Sequence, residues 1–367
     1  MREYLIRPLK KASAILAEVE KRIPETKVPS ERISTVIAGV GKYVPDKIVS
    51  SQSIEELLQF EEKFNMGMGA IERLTGVKER RHVLNNEVSS DMALKASQRA
   101  IEQAGISVEE IDLIVFASAS HDIAEPATAN ILQDKLKAYN AHVFDAKNAC
   151  NSFLNGMDIV DAFIQTGRCQ VGLVAAGEVL SPFINWNINT FEELGRGFAA
   201  LTLGDGGGAV VLKAADEVGR GIQRTYFASD GSAWELATIK GGGTLCPFDL
   251  SQSYFTSQSA DINRIALRHI PPIIKLFVEQ VGWQPENVDL VVSHQVTQQI
   301  IERIGKHVGI PSEKCMVTLT KYGNTAAASI PIALAEAMEE GRLHKGSKVL
   351  LVGGASGFSV GVIALVF

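Results

Sequence analysis

The sequence predicts an α/β protein of stacked layers, built from two similar halves. Three observations carry this. Near-continuous apolar runs at Ile111 to Phe116, Val288 to Val292 and Val349 to Val352 suit strands covered on both faces. Helical, amphipathic stretches alternate with them, which is the pattern of α/β layers. The third is repetition. Glu109-Glu110-Ile111-Asp112-Leu113-Ile114-Val115 resembles Glu286-Asn287-Val288-Asp289-Leu290-Val291-Val292, and Asp112 and Asp289 lie 177 residues apart. Val171-Gly172-Leu173-Val174 resembles Val349-Leu350-Leu351-Val352 at an offset of 178 residues. Two near-equal offsets point to a duplicated unit, far longer than a solenoid repeat.

Composition narrows the class of protein. The chain has 367 residues, 46% hydrophobic and 21% charged, as expected of a globular enzyme. A net charge of -6 argues against nucleic-acid binding. No apolar stretch approaches the roughly 18 residues of a membrane span. Four cysteines (Cys150, Cys169, Cys246 and Cys315) lie far apart, with no Cys-x-x-Cys pair. That argues against a structural zinc site or a disulfide framework, and a reducing cytoplasm is the expected setting.

Along the chain, residues 1–33 read as an N-terminal helical extension with Leu5, Leu9, Ile15, Leu16 and Val19 on its apolar side and no signal-peptide core. Residues 34–215 form the first half and 216–367 the second. In the first half an apolar run from Ala141 to Phe144 precedes Cys150, and a helical pattern follows over Asn151 to Gln165. Cys150 therefore sits near a strand-to-helix junction. The unpaired N–H groups and dipole of a helix start favour a thiolate there, and the thiolate is the nucleophile. A cysteine can equally be a small buried hydrophobe, and position alone does not decide. Gly204-Asp205-Gly206-Gly207-Gly208 leads into Ala209-Val210-Val211-Leu212, so it reads as a tight turn into a core strand rather than a phosphate loop.

In the second half, His294 stands just past the apolar run Val288 to Val292, and sites in open α/β sheets gather at strand carboxyl ends. Asn324 follows Gly323 before a helix. Alone, each has a structural reading: a satisfied histidine, a helix cap. The duplication links them to Cys150, because Asn324 falls near its mirror position. Cysteine, histidine and asparagine in one cleft suit thioester chemistry, with a thiolate to take the acyl group and N–H donors to bind an enolate oxygen.

These residues belong to an ordered set of motifs: Gly39-Val40-Gly41-Lys42-Tyr43-Val44-Pro45, Thr75-Gly76-Val77-Lys78-Glu79-Arg80-Arg81, Asn148-Ala149-Cys150, Gly204-Asp205-Gly206, His294-Gln295, Gly323-Asn324-Thr325 and Gly357-Phe358. From about Ser34 to Phe367 the chain resembles the ketoacyl-ACP synthase III type of condensing enzyme, in the thiolase superfamily. The resemblance implies a five-layer αβαβα sandwich and a homodimer. It implies Cys150 as the acylated nucleophile, His294 and Asn324 as the oxyanion site for a second thioester, and the backbone N–H groups of Cys150 and Ser356 as holders of the acyl oxygen. The family usually has glycine where Ser356 stands, and only the N–H is needed.

Two departures refine the expectation. Before Pro126, where the fatty-acid enzymes typically carry an apolar residue that reaches into the partner's pocket, stands Glu125. With Asn155-Gly156-Met157-Asp158 and His294-Gln295-Val296-Thr297, this resembles the subgroup of long-chain olefin-synthesis thiolases and α-pyrone synthases. There the glutamate is assigned as the base that removes an α proton, and a carboxyl in an apolar acyl pocket suits that task. Second, Val296-Thr297-Gln298-Gln299 replaces the family's usual Ala-Asn after His-Gln, which alters the expected pantetheine contacts. Lys78, Arg80 and Arg81 are then candidates for the phosphates of coenzyme A or an acidic carrier protein. The expected function is Claisen condensation of acyl thioesters of coenzyme A or acyl carrier protein, without decarboxylation and without a further cofactor or metal. The alternatives are decarboxylative condensation with a malonyl thioester and acyl transfer to an oxygen or nitrogen acceptor.

Overall fold

The apolar runs become the strands of two mixed sheets. The computed structural model describes residues 33–84, 86–215 and 219–367, so the expected helical extension lies outside the described residues apart from Ile33. Ile33–Phe367 is one compact unit. In chain order the strands are β1 (Ser34–Tyr43), β2 (Lys47–Ser50), β3 (Glu79–His82), β4 (Leu113–Phe116), β5 (His142–Asp145), β6 (Val171–Glu178) and β7 (Gly206–Ala215). They continue as β8 (Gly221–Ser229), β9 (Ala237–Thr238), β10 (Thr256–Ser257), β11 (Leu290–Ser293), β12 (Lys348–Ala355) and β13 (Ser359–Val366). Among the described residues, the helices of nine or more residues are α1 (Ser89–Ala104), α2 (Thr128–Leu136), α3 (Ser152–Gln165), α4 (Ser259–Gln280), α5 (Gln298–Val308) and α6 (Ser329–Glu339).

The first sheet has the order β1-β7-β6-β4-β5 and the second β11-β12-β13-β8. Strands β4 and β6 are parallel, and β7 and β1 follow antiparallel. Strands β11 and β12 are likewise parallel, with β13 and β8 antiparallel in turn. The series β4-β6-β7-β1 thus recurs as β11-β12-β13-β8, which is the repeat seen in the sequence. Where β5 flanks β4, the second sheet has, among the described residues, a single bridge from Val291 to Cys315. The expected junction of the halves falls at the end of β7, beside residues 216–218, which lie outside the described residues.

Five layers follow from what each helix covers. Helices α1 and α2 lie on the outer face of the first sheet, and α4, with α5 packed on it, covers the second. Helices α3 and α6 lie between the sheets; α3 meets β6 and β13, and α6 meets β7 and β11. A helix between two sheets must be apolar nearly all round. Phe153, Leu154, Met157, Val160 and Ile164 of α3 are fully buried, as are Ile330, Ile332, Ala333, Leu334 and Ala337 of α6. Each large apolar side chain buried there contributes about 1.5–3 kcal/mol. Close approach of α3 to the sheet depends on Gly156, where a Cβ would stand 2.7 Å from Val174 Cγ1. Among the described residues no helix is long and apolar enough to cross a membrane.

Candidate active site

Cys150 sits where the sequence places it, between β5 and α3, with Asn151 as the residue before the helix. The approach to it is tightly bonded. Ser152 Oγ accepts the Asn148 N–H at 2.8 Å and donates to the Ala149 carbonyl at 2.7 Å. Ala149 takes a positive φ of 47°, a conformation that L residues enter only where surroundings hold them. Asn151 Nδ2 donates to Ser359 Oγ at 2.9 Å, which ties the start of α3 to the β12–β13 hairpin. A Cβ on Gly353 of β12 would overlap Asn151 Oδ1, so a larger residue there would have to displace the Asn151 side chain.

The expectation of a stabilised thiolate is not met. Burial pushes the Cys150 thiol up to about 12, the charge of Glu178 adds to the rise, and a hydrogen bond from its own backbone opposes it. A helix dipole contributes about 0.3–1 kcal/mol, less than one pKa unit, so it does not offset desolvation. The resting group is a thiol.

His294 follows β11 directly, and its N–H donates to the Val352 carbonyl of β12 at 2.8 Å. Its Nδ1 lies 2.9 Å from Ser329 Oγ at the start of α6. Burial drives its pKa down to about 4, with a hydrogen bond to the Ala326 backbone pulling the other way. The imidazole is neutral at pH 7. Its neighbour Gln295 is buried and structural: Nε2 donates to the Ser293 and Met316 carbonyls, and Oε1 accepts the Thr318 and Leu319 N–H groups.

Asn324 is anchored through its backbone to the first half. Its N–H donates to the Thr202 carbonyl at 2.8 Å, and its carbonyl accepts the Gly204 N–H at 3.0 Å. Its side-chain Oδ1 accepts the Ala326 N–H at 3.0 Å. With the oxygen committed, the amide group is left as a donor. Asp205 has a knitting role: its carboxylate accepts the backbone N–H groups of Val83, Leu180 and Ser181. This agrees with a turn rather than a phosphate loop.

Cys150, His294, Asn324 and Ser356 all line one cavity of about 310 Å³. Its far walls are apolar and include Phe198, Phe255, Ile262, Ile270, Ile300 and Ile304. Much of that wall comes from α4 and α5, which sequence reasoning missed. The signal was present as helical spacing, at Ile262, Ala266 and Ile270 on α4 and at Ile300 and Ile304 on α5. Residues facing a cavity and residues facing a core carry the same pattern.

The other candidates do not join this group. Glu125 is exposed, in the loop between β4 and α2, and is not among the residues lining the cavity of its own chain. Arg80 is a correction. It is fully buried, and its Nη groups donate to the Val49 carbonyl, Ser51 Oγ and the Leu201 carbonyl. A guanidinium so enclosed is a brace between segments, not a phosphate ligand. Arg81 pairs with Glu79 at 3.1 Å and lies over the Tyr322 ring. Lys78 is exposed. Among the described residues no three His, Cys, Asp or Glu side chains group as a metal would require.

Comparison with known proteins shows the family. Residues 144–231 match the model of 3-oxoacyl-[acyl-carrier-protein (ACP)] synthase III, and residues 278–367 match that of its C-terminal part. The β-ketoacyl-[acyl-carrier-protein] synthase III of Clostridium perfringens is 37% identical over 291 residues, covering 78% of this chain and 87% of that protein. The crystal structure of 3-oxoacyl-[acyl-carrier-protein] synthase III from Aquifex aeolicus superposes with a TM-score of 0.81 at 31% identity, over 91% of this chain and 100% of that one. Xanthomonas campestris OleA, with lauric acid and lauroyl-CoA bound, superposes with a TM-score of 0.82 at 27% identity, over 91% of this chain and 99% of that one. The chain belongs to the 3-oxoacyl-[acyl-carrier-protein] synthase III family, acyltransferases of the thiolase superfamily that carry out Claisen condensation.

Proposed function

We propose that this enzyme joins two acyl thioesters, of coenzyme A or acyl carrier protein, without decarboxylation. Cys150 carries the first acyl group, and Glu125 from a second copy of the chain is the base. The observation that carries the reading is that Cys150, His294, Asn324 and Ser356 share one apolar cavity. Cys150 Sγ attacks the first thioester, and the carrier thiol leaves with the proton Cys150 gives up. The N–H groups of Cys150 and Ser356 hold the acyl oxygen. The second thioester rests its carbonyl oxygen on His294 and Asn324. Neutral His294 is a donor there in the tautomer in which Ser329 donates to Nδ1 and the proton sits on Nε2. Glu125 takes the α proton. The enolate attacks the acyl carbon, Cys150 leaves as thiolate and is reprotonated, and a β-ketoacyl thioester results. These steps need no further cofactor.

Three facts support the finer points. The apolar walls suit an alkyl chain. The Xanthomonas neighbour carries lauroyl-CoA, a long acyl thioester. Among the described residues strand β5 pairs on one side only, with β4, and such an edge is a ready template for a second copy. A homodimer would let the exposed Glu125 reach a neighbouring cavity. Decarboxylative condensation with a malonyl thioester is the second reading, favoured by the names of the curated relatives.

The test uses the purified protein and a series of acyl-CoAs, with and without malonyl-CoA or malonyl-carrier protein. Mass spectrometry follows the adduct on Cys150 and the released product. A β-keto product from acyl thioesters alone, lost in Glu125→Gln, supports the proposal. Product only with malonate, indifferent to that substitution, establishes the second reading.

A further inference from the structure

Glu178 closes β6 and is fully buried. A carboxylate in such a place is costly unless donors surround it. Four do. Oε1 accepts the N–H of Ala119 at 2.7 Å and that of Ala327 at 3.3 Å. Oε2 accepts the N–H of Ser120 at 3.0 Å and Ser120 Oγ at 2.7 Å. These donors come from two segments far apart in sequence, and both serve the site. Ala119 and Ser120 open the loop that carries Glu125. Ala327 adjoins Ala326, whose N–H holds Asn324 Oδ1. The charge of Glu178 is also felt at Cys150. One side chain therefore joins the loop that carries Glu125 to the turn that carries Asn324.

We infer that Glu178 is a positioning residue for the condensation step, its carboxylate bridging the Glu125 loop to the Asn324 turn and holding the enolate-binding amide in register with Cys150. The inference rests on the acyl-Cys150 condensation proposed above. Only a carboxylate can accept on both oxygens. A Gln offers one acceptor and one amino group, and that amino group would oppose a backbone N–H at Ala119 or Ser120. The acyl group enters before the Asn324 turn is used, so the two half-reactions should separate.

The experiment measures both half-reactions in wild type, Glu178→Gln and Ser120→Ala. Single-turnover mass spectrometry gives the rate of Cys150 acylation, and product release gives condensation. Glu178→Gln is expected to leave acylation within about threefold of wild type and to slow condensation about 10- to 100-fold, since misplacement by an ångström costs this order. Ser120→Ala, which removes one donor and keeps the carboxyl group, should show the same split at a few-fold. Equal slowing of both steps, or neither, would overturn the inference. If Glu178→Gln does not fold, Ser120→Ala decides: unchanged condensation overturns it, and a selective loss supports it. A wild-type enzyme that acylates Cys150 but makes no β-keto product under any condition overturns the proposed function and this inference with it. Wild-type condensation with both variants unaffected overturns this inference alone.

Discussion

Acid should destabilise this protein through His294, by an amount the structure sets. In the unfolded chain a histidine titrates near 6.5; in the fold, burial brings His294 to about 4. Between those values the unfolded state binds the proton and the folded state does not, so stability falls as pH falls. Above 6.5 both states are neutral and nothing is lost. Below 4 both are charged, and the full difference, about 3 kcal/mol, has been paid. By pH 4.5 roughly 2.5 kcal/mol should be gone. Glu178, raised by burial to about 7, works in the opposite direction, since its protonated form is favoured in the fold and its contribution fades as pH rises through 7. It is present in wild type and variant alike, so a difference measurement cancels it. The assay is urea unfolding of wild type and His294→Gln at pH 7.5, 6.5, 5.5 and 4.5. The free-energy gap between them should stay nearly level from pH 7.5 to 6.5 and then shift in favour of the variant as pH falls to 4.5. A gap constant with pH would refute the burial argument, and with it the neutral, donating imidazole.

Three further outcomes follow from the same geometry. Asn324→Ala should slow condensation about 10²- to 10³-fold and leave Cys150 acylation near wild type, read by single-turnover mass spectrometry; unchanged condensation would remove Asn324 from the oxyanion site. Alkylation of Cys150 by iodoacetamide should climb about tenfold per pH unit from 7 through 10 without levelling, because the thiolate is the reactive form; a plateau by pH 8 in the Cys150 peptide would contradict the raised thiol. Arg80→Met should lower stability by about 1–3 kcal/mol for each carbonyl left unpaired, measured by thermal unfolding, and leave KM for acyl-CoA unchanged. A raised KM with intact stability would return Arg80 to the carrier site.

Much of the fold was legible because its signals are local. A strand covered on both faces needs an unbroken apolar run, and Val171–Glu178 is buried at every position. Helix α3 begins within one residue of its expected start, since the loss of strand character after Asp145 and the return of helical spacing at Phe153 are written in neighbouring residues. The same locality marked Cys150, His294 and Asn324, each at the end of an element. The duplication places them together, because two copies of one topology put equivalent turns on equivalent edges.

What depends on distant segments was not legible. Arg80 reads as a surface cation among Lys78 and Arg81, and becomes a buried brace only because Val49, Ser51 and Leu201 fold around it. Glu178 was not singled out in the sequence, and its place at the site comes from donors at 119, 120 and 327. Cys150 looks like a helix-start thiolate, and becomes a thiol because a core and a carboxylate close behind it. Order along the chain determines which elements form and which residues end them, since those depend on neighbours a few positions away. Desolvation and hydrogen-bond partners depend on what packs against a group from elsewhere in the chain, and only the tertiary structure decides them.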